Sequence, residues 1–189
     1  MANRIILGID PGTQITGYGL ISCKGKQMTL LTYGVIRLDK QAASHPDKLK
    51  KIFNRVNSLV QEFKPQELAI EAPFHGKNVQ SMLKLGRAQG VAMAAGLVNG
   101  VEIFEYAPRK IKQAVTGNGT ASKLMVSKTL EQLLNFTAEE KYMDATDGLA
   151  VAVCHFFQLR LPGAGNRVPA KDWTAFINQN PDRVKKKRK

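Results

Sequence analysis

Four carboxylates stand where a reaction would use them. Asp10 closes the apolar run RIILGID, Glu71 follows LAI, and Asp144 and Asp147 open the apolar stretch MDATDGLAVAVCHFF. The chain around them is strongly basic, with 28 Lys and Arg against 15 Asp and Glu and a formal net charge of +13. Acids kept beside the core of so cationic a chain repel one another at close range unless a cation sits between them. Taken singly, each has an ordinary explanation as a turn or helix cap. Taken together they indicate a divalent-metal site on a surface that binds nucleic acid. Mg²⁺ prefers oxygen ligands, and two such ions roughly 3.5 to 4 Å apart activate a water and stabilise the leaving oxygen of a phosphodiester.

The elements that would position these acids follow from periodicity. RIILGID, ended by Pro11-Gly12, reads as a buried strand stopping at Asp10. Residues 17–23 and 28–37 read as two further strands of an antiparallel meander. Leu49, Ile52, Phe53, Val56, Leu59, Val60 and Phe63 recur at helical spacing, predicting an amphipathic helix over 45–64 that ends before Pro65. Strands follow at 67–73, carrying Glu71, and at 101–108. Between them a helix over 77–98 is rich in small residues, with Gly86, Gly90, Ala94 and Ala95 near helical spacing. Glycine inside a helix costs about 0.5 to 1 kcal/mol relative to alanine, so another backbone is expected close by, in the core or across a dimer interface.

Thr120 or Ser122 can cap a helix running to about Leu134, and a last helix covers roughly Tyr142 to Leu159. There the i, i+3 spacing puts Asp144 and Asp147 on one face, near the positive end of the helix dipole. The order βββαβαβαα predicts an α/β fold with one mixed sheet. A domain over 1–160 is expected, followed by a polar and basic tail over 161–189 that is partly disordered.

Length and composition, 189 residues and 43% hydrophobic, allow one ordinary domain without disulfide or structural-metal support. Six of the last seven residues are basic, and without them Lys and Arg still outnumber Asp and Glu by seven. Phosphate-rich partners are therefore favoured over acidic proteins or membranes. No apolar run approaches the roughly 20 residues of a spanning helix, and the start MANRIILGID resembles no signal peptide, so a cytoplasmic protein is expected. Cys23 and Cys154 lack CxxC spacing and read as buried thiols.

The motifs GIDPGTxxTGYGL, IEAPF, KLGRAQGV, APRKIKQAVTGNGTASK and MDATDGLAVAVCH, in this order across residues 4 to about 158, together resemble the RuvC family of Holliday-junction resolvases. The resemblance implies a ribonuclease H-like fold with a five-stranded mixed sheet flanked by helices. It also implies a homodimer that uses Mg²⁺, two ions per subunit with Mn²⁺ as an alternative, to nick a four-way DNA junction symmetrically. RuvA and RuvB branch-migration proteins are the implied partners. Asp10, Glu71, Asp144 and Asp147 fall on the family's four catalytic and metal-binding acids, and Lys112 and Lys123 on two further family positions. Near the scissile phosphate such an ammonium would offset developing charge.

Phe74 follows Glu71 by three residues, where the family places a phenylalanine implicated in disturbing base pairing; an aromatic there can stack on a displaced base. Lys77, Lys84, Arg87 and Arg109 complete the expected DNA-binding set with Lys112 and Lys123. His75 reads as a surface loop residue, and His45 and His155 lack ligand-like partners. Two other functions stay open: a catalytically silent DNA-binding module, and an actin-like ATPase, whose phosphate-binding hairpin Gly8–Thr13 resembles.

Overall fold

The computed structural model describes residues 4–38, 44–73, 78–138 and 143–160. Its chain divides into one compact unit, Met1–Gln158, and a second, Leu159–Lys189, of which 161–189 lie outside the described residues. The expectation of a disordered tail falls there.

β1 (Arg4–Asp10), β2 (Ile15–Lys24) and β3 (Gln27–Arg37) form the expected meander, turned between β2 and β3 at Gly25, whose φ of 60° suits glycine. α1 (His45–Phe63) begins with Ser44 accepting from the Asp47 amide and Pro46 in its first turn, and it ends on Lys64 in the left-handed conformation before Pro65. β4 (Glu67–Glu71), α2 (Val79–Leu97) and β5 (Glu102–Tyr106) follow. The sheet order is β3-β2-β1-β4-β5, with β4 parallel to both β1 and β5.

Three elements depart from expectation. The strands at 67–73 and 101–108 are shorter, because Pro73 and Pro108 carry no amide hydrogen for a ladder. Residues Pro108–Thr116 form a helix, α3, that the periodicity did not reveal, since nine residues give little more than two turns. Its signature was nonetheless present: proline at the first position and Gly117, φ 76°, just past the end. α4 (Lys123–Leu134) is capped by Ser122 and α5 (Met143–Leu159) completes the order.

The sheet has two different faces. Leu7, Ile9, Leu68 and Ile70 pack with Ile52, Val56 and Leu59 of α1 and Ala88, Ala92 and Ala95 of α2 into the main core. The opposite face of β1 and β2 is lined by glycine, and α5 lies directly on it. A Cβ on Gly8 would stand 2.3 Å from the Gly148 carbonyl oxygen, one on Gly17 would stand 2.1 Å from the Asp144 carbonyl oxygen, and one on Gly19 2.5 Å from Leu149 Cα. Close backbone approach, expected at the small residues of α2, is found instead between these strand glycines and α5. On α2, Ala95 is buried, but a Cβ on Gly86 or Gly90 would meet nothing within 4 Å.

Candidate metal centre and nucleic-acid interface

Register brings the first two acids together. Ile9 of β1 pairs in parallel with Ile70 of β4, so Asp10 and Glu71, the next residues, end neighbouring strands at one level. Gly8 faces α5, and side chains alternate along a strand, so Asp10 faces α5 as well. The glycine contacts place the first turns of α5 over the ends of β1 and β2, bringing Asp144 and Asp147 to the same rim. Asp10, Glu71 and Asp147 line a cavity of about 370 Å³ together with Lys112 of α3 and Lys123 of α4. Pro108, Ile111, Val126 and Ala150 form its apolar wall; sequence reasoning missed the first two because α3 went unrecognised, and Val126 and Ala150 because their approach to the acids depends on how α4 and α5 pack, which local spacing does not encode.

Lys123 is the cation among the acids. Its Nζ lies 2.6 Å from Asp147 Oδ2 and 3.4 Å from Asp144 Oδ1. Burial pushes Asp10 up to about 7, with repulsion from Asp147 and then Asp144 adding to the shift and Lys123 opposing it. Burial also raises Glu71, to about 8, with Asp10 and Asp147 adding and Lys123 and Lys112 opposing. Asp147 is raised by burial against the pull of the Lys123 hydrogen bond. Burial would lower the Lys123 ammonium, but its bonds and charge pairing with Asp147 and Asp144 outweigh that and raise it.

The donor set suits a hard divalent cation, because it is all carboxylate and two of its members carry charge only at a cost. Among the described residues, no three His, Cys, Asp or Glu side chains are already drawn together as a metal cage. Lys123 instead holds Asp144 and Asp147. An ion would have to draw the acids inward and move that ammonium aside.

The other expected DNA-binding residues are dispersed. Lys84 and Arg87 are exposed on α2 and Arg109 on α3, none of them lining the cavity. Phe74, His75 and Lys77 lie outside the described residues. Cys23 and Cys154 are buried free thiols, each pushed up to about 12 chiefly by burial. The hairpin after Asp10 is tightened by Thr16, whose hydroxyl accepts from the Gly12 amide at 3.2 Å. No helix among the described residues is long and apolar enough to cross a membrane.

The family model described as crossover junction endodeoxyribonuclease RuvC matches residues 6–155. A protein of that name from Cytophaga hutchinsonii is 56% identical over 184 residues, 97% of this chain and 89% of its own length. One from Porphyromonas gingivalis is 56% identical over 185 residues, 96% of this chain and 97% of its own length. Among solved structures, T. thermophilus RuvC in complex with Holliday junction substrate is 29% identical, with a TM-score of 0.77 over 84% of this chain and 96% of that one. The five-stranded mixed sheet with its flanking helices is accordingly ribonuclease H-like. By sequence and by fold, the chain belongs to the RuvC family.

Proposed function

We propose that this protein is a metal-dependent endonuclease that resolves four-way DNA junctions by paired, symmetric nicks. One observation carries the reading: four separated acids converge, with two lysines beside them, in a chain whose fold and sequence match a RuvC structure holding a Holliday junction. Asp10, Glu71, Asp144 and Asp147 would hold two Mg²⁺ ions, with Mn²⁺ as the alternative. When bound, the metal supplies a nucleophilic water and stabilises the leaving oxygen.

The chain's own groups do the rest. Lys112, on the cavity wall, faces the phosphate and offsets charge developing on it. Lys123 trades its carboxylate partners for the phosphate once the acids are occupied. Pro108, Ile111, Val126 and Ala150 exclude water from one side, which strengthens each of these electrostatic contacts. Phe74 stacks on a base displaced at the junction centre, and Lys77, Lys84, Arg87 and Arg109 follow the backbone phosphates. The excess of basic residues adds sequence-independent, salt-sensitive affinity.

Two symmetric cuts require two sites, and an isologous dimer matches the two-fold symmetry of a junction. α2 offers the surface. Val79 and Leu83 are 63% and 51% exposed, and with Gly86 and Gly90 they fall on one helix face that is open among the described residues. RuvA and RuvB are the partners that would deliver the junction.

The test is a mobile four-way junction incubated with and without Mg²⁺, with cuts mapped on all strands. Symmetric nicks that need Mg²⁺ and vanish in Asp10→Asn are expected. Cutting by Asp10→Asn at the wild-type rate would remove the metal assignment, and no cutting by wild type would favour a silent binding module.

A further inference from the structure

His155 is 1% exposed, about two helical turns beyond Asp147 along α5, and junction cleavage makes no use of it. It is fully engaged. Its Nε2 lies 3.1 Å from Glu67 Oε2 and its Nδ1 2.6 Å from the Tyr106 hydroxyl, and its ring packs 4.3 Å from that of Phe104. Arg4 fixes the other oxygen of Glu67 at 2.7 Å. Burial raises the Tyr106 phenol above its ordinary range, which keeps it a donor. The tautomer with hydrogen on Nε2 then satisfies all three groups, donating to Glu67 and accepting from Tyr106.

This network reaches both halves of the carboxylate site. Tyr106 pairs with Glu71 across β4 and β5, and its carbonyl accepts from the amide of Ala72, the residue following that acid. Through its hydroxyl the same tyrosine holds α5, which carries Asp144 and Asp147. Against β1 and β2, α5 packs closely at Gly8, Gly17 and Gly19, a contact that sets its separation from the sheet. His155 adds hydrogen bonds that tie it to β4 and β5.

We propose that His155 is a positioning residue for the carboxylate site: its paired hydrogen bonds to Tyr106 and Glu67 fix where α5 stands along β4 and β5, and so how far Asp147 stands from Glu71 and Asp10. This rests on the metal-nuclease reading. A displacement of 1 Å in such a constellation costs on the order of 10²-fold, so a loosened register should weaken ion binding without abolishing the fold.

The experiment compares wild type, His155→Phe, His155→Gln and Asp10→Asn by Mn²⁺ binding (electron paramagnetic resonance), junction affinity in EDTA, kcat in Mg²⁺ and thermal melting. His155→Phe keeps the ring against Phe104 but loses both hydrogen bonds. It should melt cooperatively, bind junction as wild type does, and lose about tenfold in both Mn²⁺ affinity and kcat. His155→Gln keeps a donor toward Glu67 and should recover most of that loss. Unchanged Mn²⁺ affinity in a folded His155→Phe, or equal losses in both variants, would overturn the proposal. Should His155→Phe not fold, Tyr106→Phe replaces it: the same split on a smaller scale supports the proposal, and no change overturns it. Failure of wild type to bind Mn²⁺ would instead overturn the reading of the four acids, and the positioning role with it.

Discussion

Lys123 Nζ stands 2.6 Å from Asp147 Oδ2, so the cation nearest the acidic cluster is one the protein supplies itself. An ammonium there relieves the repulsion among Asp10, Asp144 and Asp147, and it competes with any ion the acids would take up.

Removing it should separate those two roles. Lys123→Gln is expected to tighten Mn²⁺ binding about twofold to fivefold, because the pair is more than half exposed on the lysine side and exposed pairs contribute only about 0.2 to 1 kcal/mol. Junction nicking should fall about 10²-fold, the usual cost of losing a group aimed at transition-state charge. Weaker Mn²⁺ binding, measured by calorimetry, would show that Lys123 assembles the acids rather than competing for them.

Stability should depend on pH through Asp10 and Glu71. Their values in the fold, about 7 and about 8, lie above the ordinary 3.8 and 4.5, so between about pH 4 and 8 the folded protein holds protons that the unfolded chain has released. Stability due to these groups therefore falls as pH rises through that window. In EDTA, the melting temperature of wild type minus that of the Asp10→Asn, Glu71→Gln double variant should become more negative from pH 5 to 8.5. Mg²⁺ should reverse the trend at the alkaline end. A difference that stays flat would show that the two acids are not strained by their burial.

The seat of α5 is steric. A Cβ on Gly148 would lie 2.5 Å from backbone atoms of Gly17 and Tyr18, which cannot give way as a side chain tip can. Gly148→Ala should cost about 3 kcal/mol, near the upper end for overpacking, and lower the melting temperature by roughly 10 °C. Ion affinity should drop as well, since Asp147 is the adjacent residue. A melt unchanged within about 2 °C would show that α5 can ride outward at little cost.

Substitutions on α2 test the dimer by opposing two effects. In an isolated protomer Gly90→Ala should stabilise the helix by about 0.5 to 1 kcal/mol, because the new Cβ meets nothing within 4 Å. Across an α2-mediated interface the same methyl enters a space the partner fills. Sedimentation should find wild type dimeric at micromolar concentration, Gly90→Ala shifted toward monomer, and Leu83→Glu largely monomeric. A monomeric wild type, or a dimer indifferent to Leu83→Glu, would move the interface elsewhere.

Much of this protein is written locally in its sequence. A short β-branched apolar run closed by Pro-Gly located β1 and the end at Asp10, helical spacing located α1, and the i, i+3 pair placed Asp144 and Asp147 on one face. Motif order along the chain carried the family resemblance, and these signals are legible because each depends on neighbours a few residues apart. α3 escaped because nine residues hold too few turns for periodicity to register, although Pro108 and Gly117 marked its ends.

Tertiary structure decided what depends on contacts between distant segments. That Asp10 and Glu71 end at one level follows from the Ile9–Ile70 register, which neither strand encodes alone. Glycines at 8, 17 and 19 had no visible purpose until α5 lay against them, while a Cβ on Gly86 or Gly90, which predicted close approach, would meet nothing within 4 Å among the described residues. His155 looked partnerless because Glu67 and Tyr106 are 88 and 49 residues away. Sequence types determine which groups can ionise, donate or coordinate, whereas their electrostatics depend on distances in space that only the packed sheet and its helices set.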